Sequence, residues 1–386
     1  MSNQELLFKS FQDVVRSTFH EDFIALHRPV FSDSEKDMLC NCIDSNFVSS
    51  AGEEIELFEQ KIAKVADRKY CVATVNGTSA LHATLVALGV SVGHEVITQS
   101  LSFVATANAI ALSGASPIFL DVEPKTGTLS SEFLYEFLKN ETYGKAGGLY
   151  NKSSDCQIKA CVVMHTFGHP AEMDKIYDLC QKFGIFCIED AAEALGSMYK
   201  GQPAGSLSDA AVFSFNGNKI ITTGGGGAVV SNDRSLRDRL KHITTTAKQP
   251  HRYEYFHDEL GFNYRMPNLN ACLGLPQLQK LNHFIEEKRK LFYKYRDFFK
   301  PWDVRVWTET EGNRSNYWLN AVSFSSREAR DNFLIHTNNV GIMTRPIWQL
   351  LPTLPMYIQC QNFDKGIASS LYETTVNIPS SVPVYV

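Results

Sequence analysis

Three stretches of the chain bring together residue types that chemistry needs. In Asn76-Gly77-Thr78-Ser79-Ala80-Leu81 a strand-like run ends in a tight glycine turn, and a helical run starts on two hydroxyl residues. A helix start offers unpaired N–H groups and the positive end of its dipole, so the turn suits a phosphate. Its plainer reading is an ordinary N-cap. In Ile188-Glu189-Asp190-Ala191-Ala192-Glu193 two acids close another strand-like run, where open α/β sheets bind ligands. An anion there keeps a heteroaromatic nitrogen protonated, and the small residues behind it admit a flat ligand; a capping acid is the alternative. In Ser214-Phe215-Asn216-Gly217-Asn218-Lys219 one lysine follows an apolar strand, with Gly224 to Gly227 downstream. A desolvated lysine is a nucleophile toward carbonyls, although a lysine taken alone is usually solvated. Together the three stretches supply a phosphate cradle, a pyridinium partner and a carbonyl trap. Those are the requirements of pyridoxal phosphate (PLP).

Other polar residues read less sharply. His165 and His169 flank Thr166-Phe167-Gly168 after a strand, where a structural and a substrate-contact role are equally open. Arg265 and Arg345 suit a diphosphate as bidentate donors, or stand as solvated or ion-paired arginines. Trp318 and Trp348 read as core rather than as platforms for a sugar.

Positioning these groups falls to an alternating series of elements. A short amphipathic helix over 5–18 comes first. Ser32 with Glu35 three residues on marks a capping box before a helix to about Ser45. Helices over 54–66, 80–88, 104–113, 131–139 and 171–183 alternate with strands over 70–75, 95–98, 116–120, 159–164, 185–188 and 210–215. Strict alternation predicts a mostly parallel sheet covered by helices on both faces. The polar, glycine-containing stretch 140–158 reads as a surface insertion. A long helix over 269–299 that tolerates Pro276 opens a different texture, with a strand at 318–324 and helices over 327–337 and 363–373. The expected organisation is an N-terminal helical extension (1–30), a large α/β domain (31–249) and a smaller α+β domain (250–386).

Composition narrows the class of function. The chain has 386 residues, 44% of them hydrophobic and 20% charged, enough for a sizeable core. Lys+Arg 37 against Asp+Glu 42 gives a net charge of −5, and no basic run exists to neutralise many phosphates, which argues against a nucleic-acid partner. Nine scattered cysteines lack a zinc spacing and read as reduced, structural thiols, with no metal expected. The first twenty residues lack the apolar stretch of a signal peptide, and no run approaches the ~18 apolar residues of a membrane span. A cytoplasmic protein is expected.

Beyond these readings, the chain resembles a known family. Gly77-Thr78-Ser79, Phe103-Val104-Ala105-Thr106-Ala107-Asn108, Glu189-Asp190-Ala191-Ala192, Ser214-Phe215 with Lys219, and Asn263-Tyr264-Arg265 match in order the DegT/DnrJ/EryC1/StrS sugar aminotransferases. Those are fold-type I PLP enzymes. Phe47-Val48-Ser49-Ser50-Ala51-Gly52, Ser315-Asn316-Tyr317-Trp318-Leu319-Asn320 and Thr344-Arg345-Pro346-Ile347-Trp348 resemble the branch that makes 4-amino nucleotide sugars for legionaminic acid.

The resemblance implies roles residue by residue. Lys219 joins PLP covalently and shuttles the proton, Asp190 pairs with the pyridinium nitrogen, and Phe103 stacks on the ring. Gly77, Thr78, Ser79 and Ser214 hold the phosphate. Asn263 reaches the cofactor of a neighbouring subunit, which implies a homodimer. Ser49 and Ser50 line the sugar pocket. Two positions depart from the family: Glu193 stands where glutamine often contacts the cofactor's 3′-oxygen, and Gly225 stands in a slot that commonly holds glutamate.

The expected activity is amino transfer from glutamate to a nucleotide-linked, UDP-type 4-keto-6-deoxy-2-acetamido hexose. Three rivals remain, the least specific being an aminotransferase for a small amino acid, favoured if a UDP-sugar fails to bind. A sugar dehydratase would carry histidine in place of Lys219, and a non-catalytic sensor has no use for Lys219 with Asp190.

Overall fold

Runs such as Val96-Ile97, Ile118-Phe119-Leu120 and Val162-Val163 are apolar on both faces, as befits strands covered by helices on either side. In the computed structural model, which describes residues 3–145 and 147–383, they lie in one large sheet. Helices α1 (Asn3–Phe19), α2 (Asp33–Ser45) and α3 (Glu53–Val65) precede it. Then β1 (Tyr70–Thr74), α4 (Gly77–Ala87), β2 (His94–Gln99), α5 (Val104–Leu112), β3 (Ser116–Leu120) and α6 (Ser131–Asn140) alternate. Two short strands, β4 (Thr142–Lys145) and β5 (Gly148–Asn151), lead to β6 (Gln157–Met164), α7 (Met173–Phe183) and β7 (Phe186–Asp190). A small ribbon, β8 (Met198–Tyr199) with β9 (Gln202–Pro203), comes before β10 (Ala210–Ser214), β11 (Gly227–Ser231) and α8 (Arg234–Thr244).

The sheet order is β1-β11-β10-β7-β6-β2-β3-β15, with β15 (Asn362–Phe363) arriving from far along the chain. Neighbours from β10 to β15 are parallel, whereas β11 runs antiparallel to both β1 and β10. The sheet is therefore mostly parallel, as alternation requires. Residues 140–158 differ from expectation. Tyr150 pairs with Tyr143 and with Gln157, so β5 joins the sheet antiparallel to β6 and β4 lies antiparallel on β5. Helix α8 is an addition to the expected elements, capped by Asp233, which accepts the N–H groups of Ser235 and Leu236.

The 32-residue α9 (Asn268–Phe299) begins right after Pro267 and carries a buried Pro276 inside it. Beyond it lie β12 (Val304–Val306), β13 (Asn320–Phe324), α10 (Arg327–Asn339), β14 (Arg345–Pro346), α11 (Ile367–Thr374) and β16 (Thr375–Ile378). The second sheet, β12-β13-β16-β14, is antiparallel throughout.

Helix α1 packs on this second unit. Its Phe8, Phe11 and Val15 share a core with Tyr295, Phe299 and Phe333, and the Phe11 and Phe333 rings lie 5.0 Å apart. The capping box at Ser32 is present, with the Ser32 N–H donating to Glu35 at 2.8 Å. Burial pushes the Glu35 carboxyl up, but hydrogen bonds from Lys280, Ser32 and Gln277 outweigh it and hold the group at about 2. That cluster ties α2 to α9.

Candidate active site

The parallel strands end on one edge of the sheet, and three of the sequence motifs meet there. Strand β7 ends in Asp190, β10 ends in Ser214 five residues before Lys219, and α4 starts at Gly77, three residues past the end of β1. Close approach explains the glycines. A Cβ on Gly77 would come within 2.9 Å of the Ser214 Cβ, and one on Gly227 within 2.4 Å of the Asn76 carbonyl. The result is a cavity of about 320 Å³, lined among others by Gly77, Thr78, Phe103, Asp190, Glu193, Ser214, Lys219, Trp318 and Trp348. Two roomier, more open clefts of about 560 Å³ lie elsewhere and contain neither Lys219 nor Asp190.

Asp190 forms the floor. Thr106 Oγ1 donates to its Oδ2 at 2.7 Å, and the Ala192 N–H reaches its Oδ1 at 3.3 Å. Burial pushes its carboxyl above the ordinary value, and the hydrogen bonds only partly offset this. Lys219 reaches in from the other side. Its Nζ lies 3.2 Å from Glu193 Oε1 and 4.0 Å from the centroid of the Trp318 ring. Glu193 is 2% exposed, and its Oε2 accepts the Phe167 N–H at 2.9 Å. Burial raises its carboxyl to about 7 against the attraction of Lys219.

This shift has a testable consequence. Folding raises the Glu193 pKa from 4.5 to about 7, so the folded protein binds the extra proton and its stability falls as pH rises through that window. Glu193→Gln removes the titration. The Tm of the wild-type apoprotein should therefore decline relative to the variant between pH 4.5 and 7 and run parallel to it above. A constant Tm difference across the window would show that Glu193 does not titrate there.

Not every expected residue joins the cavity. Ser79 is buried, with its N–H donating to Asn76 Oδ1 at 2.7 Å in the helix cap. His165 does not offer itself to a substrate: it is fully buried, its Nε2 lies 2.9 Å from Glu189 Oε2, and its Nδ1 accepts the Ala171 N–H at 3.1 Å. Glu189 is structural too, accepting from Gly205, Leu207 and Ser208. His169 is buried beside Tyr317, and burial lowers its ring to about 4.

Arg265 pairs with Glu59 and donates to the Ala73 carbonyl; with Ser50 and Phe47 it lines one of the open clefts. Ser49 is exposed nearby. Arg345 sits on β14 and donates to Asn338 Oδ1 at 2.9 Å, away from the cavity. Asn263 is exposed and bridges backbone to Thr245, also outside it.

Other cavity contacts were not read from sequence. Trp318 and Trp348 line the site rather than filling the core alone. Thr106, the partner of Asp190, carries a findable signal, since it lies one helical turn beyond Phe103. Nothing local marks Trp318.

The donor set fits PLP. A cramped glycine turn at a helix start suits a phosphate, and the buried Asp190 carboxylate suits a cationic ring nitrogen. A primary amine lies within the same cavity, beside an exposed Phe103 ring. A mostly parallel sheet carrying this set at its strand ends defines a PLP-dependent aminotransferase. The chain belongs to the DegT/DnrJ/EryC1/StrS aminotransferase family, whose sequence pattern matches residues 30–384.

Relatives agree with the class. A GDP-perosamine synthase of Escherichia coli O157:H7 is 37% identical over 359 residues, covering 93% of each chain. A UDP-2-acetamido-2-deoxy-3-oxo-D-glucuronate aminotransferase of Pseudomonas aeruginosa is 34% identical over 279 residues, or 72% of each. Among solved structures, the aminotransferase TlmJ of Streptoalloteichus hindustanus superposes with a TM-score of 0.84 at 26% identity over 93% of both chains. The chain is a PLP-dependent sugar aminotransferase acting on nucleotide sugars. Among the described residues, no helix is long and apolar enough to cross a membrane.

Proposed function

We propose that the protein transfers the amino group of glutamate to C4 of a UDP-linked 4-keto-6-deoxy-2-acetamido hexose, on the way to a legionaminic-type acid. The observation that carries the mechanism is the meeting of Lys219, Glu193 and Asp190 in one cavity. PLP, when bound, supplies the electron sink through which the amino group passes between the two substrates. This chain's residues do the rest. Asp190 holds positive charge at the ring nitrogen. Gly77, Thr78 and Ser214, with Ser79 in the helix cap behind them, would hold the cofactor's phosphate, and the exposed Phe103 ring would stack against the cofactor. Lys219 takes the proton from the donor's α-carbon and returns one to the sugar carbon, acting as base and acid in turn.

A cytoplasmic homodimer completes the reading. All nine cysteines are free thiols, as expected in a reducing compartment. The segment leading to Asn263 carries exposed apolar side chains, with Phe256 62% and Leu260 84% accessible, the kind of surface that a second subunit covers. In a dimer Asn263 would serve the partner's cofactor.

The UDP assignment is supported by the likeness of the Ser49-Ser50 and Ser315–Asn320 segments to the legionaminic branch, and by a relative named for a UDP-linked acetamido sugar. A GDP-linked sugar is the second reading, favoured by the 37% identity to a GDP-perosamine synthase. Release of 2-oxoglutarate from glutamate, measured with UDP- and GDP-linked 4-keto-6-deoxy hexoses, separates them. We expect kcat/KM to favour the UDP sugar by at least about tenfold, the discrimination of one or two lost polar contacts. The reverse ranking would establish the GDP reading. Reaction with neither would overturn both readings.

A further inference from the structure

The Lys219 amine touches two groups, the Glu193 carboxyl and the Trp318 ring, and those groups come from distant parts of the chain. One side chain holds both. The Asn316 carboxamide is fully buried. Its Nδ2 donates to the Glu193 carbonyl at 2.9 Å and to the Leu195 carbonyl at 3.0 Å. Its Oδ1 accepts the Trp318 N–H at 2.8 Å. The Asn316 N–H in turn donates to Ser197 Oγ at 3.0 Å, and that hydroxyl donates to the Gly168 carbonyl at 2.8 Å.

The surroundings are built tightly around this amide. A Cβ on Gly168 would lie 2.0 Å from Asn316 Oδ1, and Gly168 has a φ of +93°. Two bulky, fully buried residues on either side, Phe167 (φ 55°) and Tyr317 (φ 47°), adopt left-handed backbone conformations. Non-glycine residues held there are strained and persist only where their surroundings force them, commonly at functional sites. Each strained residue adjoins the clamp. Phe167 donates its N–H to Glu193, and Tyr317 separates Asn316 from Trp318. The far end of Trp318 is fixed as well, its Nε1 donating to the Asn218 carbonyl at 2.7 Å, next to Lys219.

We propose that Asn316 is a positioning residue for amino transfer: its carboxamide locks the Glu193 and Trp318 backbones together and so fixes the slot in which the Lys219 amine works. This rests on the proposed role of Lys219. It touches neither substrate nor cofactor itself, and it acts only through the two groups that face the amine.

The test compares Asn316→Ala with Ser197→Ala, a gentler change that removes one hydroxyl from the same clamp. The first readout is the rate at which purified apoprotein bonds covalently to PLP, followed by visible absorbance and scaled to folded protein. The second is the split between kcat and KM for the sugar, and Lys219→Ala serves as the control.

We expect attachment and kcat to fall by about tenfold or more in Asn316→Ala and by a few fold in Ser197→Ala, because small misplacements of a reacting group are costly. The KM for the sugar should stay within about twofold, since uniform binding is untouched. Lowered Tm with wild-type attachment and wild-type kcat per folded molecule would overturn the proposal and leave the Lys219 reading standing. Covalent attachment that persists in Lys219→Ala would overturn both. Should Asn316→Ala fail to fold, Ser197→Ala decides: an unchanged attachment rate there refutes the clamp.

Discussion

Lys219→Ala should abolish amino transfer, with a loss of at least about 10⁴-fold, while the protein stays folded. The loss is large because one amine serves as both the covalent anchor and the proton carrier. The fold survives for a specific reason. Removing Lys219 strands Glu193, but that carboxyl already sits at about 7 through burial, and losing the lysine's attraction raises it further. It therefore becomes neutral at physiological pH instead of leaving an unpaired buried charge, which is the costly outcome. Release of 2-oxoglutarate from glutamate measures the activity, and thermal unfolding measures the fold. Turnover at the wild-type rate would overturn the assignment of the reacting lysine.

Asp190→Asn should cost on the order of 10²–10³-fold in kcat, comparable to removing a preorganised electrostatic group from an active site. The amide keeps the shape and can still accept from Thr106, which approaches Oδ2 at 2.7 Å. It loses the charge that would hold a proton on a ring nitrogen. Relief of a carboxylate that burial disfavours is set against the Ala192 N–H that the amide no longer accepts, so the apoprotein should stay within about 1 kcal/mol of wild type. PLP should still bind through its phosphate. Near wild-type kcat in this variant would mean that charge at this position does not matter to the reaction.

The legible part of the molecule is the part written locally. Asp190 and Lys219 sit at strand ends that apolar runs announce, and Gly77 marks a turn that its crowded neighbours require. The sheet's core strands and α9 follow from periodicity in the same way. What the sequence hid depends on distant partners. His165 looks available until β6 and β7 align in parallel and set it against Glu189, with Met164 opposite Asp190 in the register. Arg265 looks free until Glu59, 206 residues away, takes it.

Trp318 looks like core because nothing near it in the chain shows that Lys219 will lie against its ring. Strands β4 and β5 carry glycine and polar residues in place of an alternating pattern, so their pairing appears only when β6 is beside them. Strand β15, two residues long, is too short for any pattern.

That last strand has a consequence for how the chain is made. Strand β3 is complete at Leu120, yet its outer partner is Asn362–Phe363, and the Phe119 N–H donates to the Gln361 carbonyl at 2.9 Å. On the ribosome, more than half of the polypeptide is synthesised between the two strands. Throughout that interval the nascent sheet presents an unpaired row of backbone donors and acceptors, a template for joining other chains. Closing it also gates the far end of the molecule, because Asp121, just past β3, accepts the N–H groups of Lys365, Ile367 and Ala368 at the start of α11. The late segment therefore acts as a seal on an early-made edge, and products of premature termination before it would leave translation with that edge open.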